Sequence, residues 1–70
     1  MSNWHSTKAR LALSALEKNG WKVKRSSGSH KIMAKLGFRD YVFAFHDKEE
    51  IGPKMLARIA KHTRIKPEDI

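Results

Sequence analysis

Cysteine is absent from all 70 residues, which excludes a disulfide framework and any thiolate metal site and suits a reducing compartment. Long apolar runs are missing too. No stretch approaches the ~20 residues that span a bilayer, and Met1 to Trp4 lead into polar and basic residues rather than the apolar centre of a signal peptide. A cytoplasmic protein is the expectation. Proline occurs twice and glycine four times, so there is no Pro- or Gly-rich linker, and no repeat or low-complexity segment interrupts residues 1–70, read as one domain. Acidic residues are scarce: seven Asp and Glu against fifteen Lys and Arg give a formal charge of +8. A partner that carries phosphates is the natural inference. A domain of this size buries only about 60% of the surface its unfolded chain exposes, so the core must be thin and a stabilising partner is expected.

The charge is unevenly spread. Lys8, Arg10, Lys18, Lys22, Lys24, Arg25, Lys31, Lys35 and Arg39 occupy the first half, while five of the seven acids follow position 46. A nucleic-acid surface therefore belongs to the first helix and the strands rather than to the chain end.

Apolar positions set out the elements. Ala9, Ala12, Leu13 and Leu16 recur at helical spacing between about Ser6 and Asn19, and Gly20 supplies a left-handed stop. Trp21 and Val23 alternate with Lys22 and Lys24 as in a half-buried strand, until the turn-forming run Ser26 to Ser29. A second strand is expected from His30 to about Lys35, followed by a turn at Leu36-Gly37. Tyr41, Phe43 and Phe45, alternating with Val42, Ala44 and His46, predict a third strand. Gly52-Pro53 opens a second helix, proline being suited to the first helical turn. Ile51, Met55, Leu56, Ile59 and Ala60 mark its buried side, Lys54, Arg58 and Lys61 its basic side, and Lys66-Pro67 ends it. The order is α-β-β-β-α, an α+β class in which two helices cover one face of a three-stranded antiparallel sheet.

"LEKNGWKVKRSSGSHKIM", Leu16 to Met33, resembles the HicA toxins, mRNA interferases of the HicA/HicB toxin-antitoxin systems. The shared features are a helix ending in a Gly-aromatic step and a second strand that opens with Gly-Ser-His. "VFAFHDKEEIGPKMLARIAKHTRI" is similar to that family's strand ending in histidine, its polar turn, and its closing helix introduced by Ile-Gly. The resemblance covers about residues 8–66. It implies a double-stranded-RNA-binding-domain-like fold, a HicB-like antitoxin, and metal-independent cleavage of single-stranded mRNA with His30 as the catalytic histidine. The family's third strand usually carries Val-Pro-x-His, whereas Val42 to His46 contains no proline; His46 is a second candidate.

The residues themselves fit that chemistry. Cleavage of RNA without a metal requires removal of the 2′-hydroxyl proton, protonation of the leaving 5′-oxygen and relief of charge at the phosphate. Histidine moves protons near neutral pH. Ser27, Gly28 and Ser29 before it are small enough for a phosphate to come close to the backbone. Lys22, Lys24, Arg25 and Lys31 are the candidate phosphate contacts, Arg25 with a bidentate fork. His46 either acts as a second acid or base across paired strands or caps the strand exit through its ring. The four histidines are separated by 25, 16 and 16 residues, with no short ligand pair, so neither a metal nor another cofactor is expected. A non-catalytic double-stranded-RNA-binding module is the rival reading; such modules carry Gly-Pro-x-His in the corresponding loop, where this chain has Gly28-Ser29-His30.

Overall fold

A computed structural model describes residues 4–70. Met1 to Asn3, on which the reading of the chain start partly rested, lie outside the described residues. The elements run β1 (Thr7–Lys8), α1 (Ala9–Lys18), β2 (Lys22–Ser27), β3 (His30–Ala34), β4 (Tyr41–Ala44), β5 (Glu50–Ile51), α2 (Pro53–Thr63) and a final 3-10 turn, Pro67–Asp69. The main sheet is antiparallel in the order β2-β3-β4.

Both helices lie on one face of that sheet. Ala9, Ala12, Ala15 and Leu16 of α1 and Leu56 and Ile59 of α2 share a single buried cluster with Met33 of β3, Phe43 of β4 and Trp21. Alanine at three of the four buried α1 positions lets that helix approach closely in a thin core. Trp4, which has no place in the periodic pattern of the sequence, packs against the same cluster.

Helix α1 ends through a Schellman motif. Gly20 takes φ +95°, Trp21 N–H donates to the Leu16 carbonyl at 3.0 Å and Gly20 N–H to the Glu17 carbonyl at 3.1 Å. The hydrophobic contact that accompanies this motif is Leu16 with Trp21, both core residues. Trp21 then ties the end of α1 to the end of α2, its Nε1–H donating to the Thr63 carbonyl at 3.1 Å.

Several boundaries differ from the sequence reading. Helix α1 starts at Ala9 rather than Ser6, because Thr7 and Lys8 pair with Ile51 and Glu50 in a two-stranded ribbon. That ribbon has no local signature, since its strands are more than forty residues apart in the chain. Ser26 and Ser27 belong to β2 instead of the turn: pairing with Lys31 and His30 overrides the turn tendency of serine. Gly28 and Ser29 form a two-residue hairpin in which only Gly28, at φ +60°, is left-handed, as a type II′ turn requires. Strand β4 ends at Ala44, short of His46. Val23 and Met55, read as facing inward, are 41% and 37% exposed.

Candidate functional site

The pairing register decides which side chains share a face. In β3, Met33 is buried against the helices, so His30, Ile32 and Ala34, of opposite parity, lie on the open face. Three cross-strand rows cover it: Ser27–His30–Ala44, Arg25–Ile32–Val42 and Lys22–Ala34. His30 is exposed at the head of β3, with a small residue on each side of its row.

Arg25 reaches this face through an irregularity. Val23 pairs with Met33 and Arg25 with Ile32, adjacent residues on β3, so Lys24 is the extra residue of a bulge. Simple alternation from Val23 would have turned Arg25 toward the helices. The bulge inverts the phase, placing Arg25 and Ser27 beside His30's face. The Arg25 row is two residues along β3 from the His30 row, roughly 7 Å, within reach of a neighbouring phosphate for a long guanidinium side chain.

The other candidate cations divide. Lys22 stands on the open face one row beyond Arg25, and neither has an acidic partner among the described residues. Lys24 is held by Asp40, Nζ to Oδ2 at 2.9 Å, an exposed pair. Lys31 pairs with Ser26 and Phe43 on the helix-facing side and is half-buried, so it does not join His30. Of the small residues, Ser27 flanks His30 directly, while Gly28 and Ser29 form the turn immediately before it. A Cβ on Gly28 would meet nothing within 4 Å, so that glycine serves the positive φ and leaves open space above the turn.

His46 follows Ala44, the cross-strand partner of His30, by two residues, which keeps it at the same end of the sheet. Its backbone amide donates to Glu49 Oε1 at 3.1 Å, and the Glu49 amide donates to the His46 carbonyl at 2.9 Å. The loop is thus closed by main-chain groups and the Glu49 side chain, with no ring-nitrogen cap among the described residues, and the exposed imidazole is left to solvent. His5 is exposed; His62 is exposed too and stacks on Tyr41, centroids 5.8 Å apart at 28°. Among the described residues no three His, Cys, Asp or Glu side chains cluster.

A family model described as the HicA toxin of bacterial toxin-antitoxin systems matches residues 9–65. The chain belongs to that family: it is a toxin of the HicA/HicB toxin-antitoxin type, in a group of ribonuclease toxins that act with an antitoxin partner. No curated protein and no solved structure gives a significant match. The α+β arrangement of two helices on a three-stranded antiparallel sheet agrees with the family's double-stranded-RNA-binding-domain-like fold. No helix among the described residues is long and apolar enough to cross a membrane.

Proposed function

We propose that this toxin is a metal-independent endoribonuclease that cleaves single-stranded mRNA, with His30 moving the proton. The observation that carries the reading is the placement of His30: exposed at the head of β3, bordered by Ser27 and Ala44, with Arg25 and Lys22 on the same open face. Small neighbours admit a phosphate to the imidazole, and the two cations offset its charge. As general base, His30 takes the 2′-hydroxyl proton while the O2′–P bond forms and the P–O5′ bond breaks; the leaving 5′-oxygen then takes a proton from a general acid or from water. His46, at the same end of the sheet, is the nearest histidine in the topology for that second role.

A HicB-like antitoxin would silence the enzyme by covering this face. Ile32 and the 51%-exposed Val42 give it an apolar strip to bury between Arg25 and the β4 edge. The rival reading, a non-catalytic double-stranded-RNA-binding module, differs in one readout. Incubation of the purified protein with single-stranded RNA in EDTA is expected to yield 2′,3′-cyclic phosphate ends. Fragments with 3′-hydroxyl ends would indicate a water nucleophile and metal assistance, and RNA that stays intact while duplex RNA is bound would favour the binding module.

A further inference from the structure

A cleft of about 790 Å3 opens on the molecule between the β3–β4 loop and the last turn of α2. The residues that matter to it are Arg39 and Tyr41 from the loop side, Val42 on β4, and Lys61, His62 and Arg64 from the helix end. Three cations therefore converge from two separate elements. Asp40, the acid on the rim, is already paired with Lys24 at 2.9 Å, and Arg39, Lys61 and Arg64 have no acidic partner among the described residues. The cleft also holds an aromatic platform, the stacked rings of Tyr41 and His62, tilted 28° to each other. The Tyr41 phenol, neutral at physiological pH in any case, is pushed by burial further above its ordinary pKa. The end of α2 alone accounts for some of this charge, because cations favour a helix C-terminus, but it does not account for Arg39 or for the ring pair.

Val42 connects the cleft to the candidate catalytic face. It lines the cleft and also ends the row Arg25–Ile32–Val42, next to the row that contains His30. A strand that crosses the sheet along the row Arg25–Ile32–Val42, beside His30, and leaves it over the edge of β4 arrives at Arg39, Lys61 and Arg64. We infer that this cleft is a second RNA-binding subsite, in which Arg39, Lys61 and Arg64 hold phosphates and the Tyr41–His62 platform receives a base of the single strand whose scissile phosphate lies at His30. Cations with a flat aromatic platform are the chemistry by which single strands are held without base reading. The inference rests on the ribonuclease reading and extends it to the path of the substrate.

The test uses the full chain carrying His30→Ala and a fluorescent single-stranded RNA, with affinity measured against salt. The comparison variant adds Arg39→Gln, Lys61→Gln and Arg64→Gly, glycine being chosen because Arg64 stands at φ +66°. Removing each phosphate-binding cation should lower the log-log salt slope by roughly 0.7, and affinity at low salt should fall on the order of 10-fold. An unchanged slope and affinity in a folded variant would overturn the subsite while leaving the ribonuclease reading in place. So would a variant that binds RNA normally but escapes inhibition by the antitoxin, since the cleft would then belong to a protein partner. If the variant does not fold, photo-crosslinking of 4-thiouridine RNA to the His30→Ala parent decides: crosslinks at Tyr41 or His62 support the subsite, and crosslinks confined to β2 and β3 overturn it. A parent chain with no affinity for single-stranded RNA would overturn both readings.

Discussion

Trp21 carries more structural duty than its place beside Gly20 indicates. Its ring is 1% exposed, it completes the Schellman contact with Leu16, it meets Phe38 edge-on at 5.4 Å, and its Nε1–H holds the Thr63 carbonyl at the end of α2. Trp21→Phe removes a donor and part of a ring, leaving a buried carbonyl unpaired and a cavity. A loss of about 2 to 3 kcal/mol is expected, read by chemical denaturation; a loss below about 0.5 kcal/mol would mean that the ring is replaceable there. His30 is the opposite case. An exposed side chain at a strand head contributes little to the core, so substituting it should leave the fold intact and isolate whatever chemistry it performs.

At the level of elements, the ribbon of β1 with β5 explains how α1 starts without a side-chain cap. Ala9 N–H donates to the Glu49 carbonyl at 2.8 Å and Arg10 N–H to the Asp47 carbonyl at 3.1 Å, so the polar turn after β4 satisfies two donors that helix starts usually leave to water or a cap. Amide exchange at Ala9 and Arg10 should accordingly be slow, comparable with the interior of α1; exchange as fast as at a frayed end would show that the turn does not hold them. The chain end has its own latch. Asp69 Oδ2 accepts from Lys66 N–H at 2.9 Å and from Asn19 Nδ2 at 3.0 Å. The Lys66 backbone hydrogen bond first, and then the Asn19 side chain, hold its carboxyl below the ordinary value of 3.8. A depressed folded-state pKa stabilises above the unfolded value and loses that contribution as pH falls through the folded one. The difference in Tm between the wild type and Asp69→Asn should thus be constant near neutrality and shrink below about pH 3.8; a gap unaltered down to strong acid would leave Asp69 without a role. The helices, the three main strands and the stop at Gly20 were legible because each writes a local period or a turn residue. The ribbon was not, since its partners meet only after folding. Neither was the face occupied by Arg25, which depends on a bulge at Lys24 that alternation cannot show, nor the inward side of Lys31, which depends on register.

At the scale of the molecule, eleven buried hydrophobic residues among those described form the core of a chain with net charge +8. A partner that binds only the folded toxin adds to so small a core by mass action. On the proposed reading a positive field would draw RNA to the surface generally, and the open face would distinguish among its cations. Lys22→Ala or Arg25→Ala should each lower the log-log salt slope of single-stranded RNA binding by roughly 0.7, with a smaller change for Lys31→Ala on the helix-facing side; equal changes at all three would mean that RNA does not choose the open face. On the proposed reading, His30 does chemistry rather than support the fold. The most direct measurement is single-turnover cleavage of single-stranded RNA by His30→Ala in EDTA, alongside its unfolding curve and RNA affinity. The expected result is a rate lower by on the order of 100-fold or more, stability within about 0.5 kcal/mol of wild type and similar affinity. Wild-type cleavage by His30→Ala, with the loss appearing in His46→Ala instead, would contradict it and move the chemistry to the loop after β4.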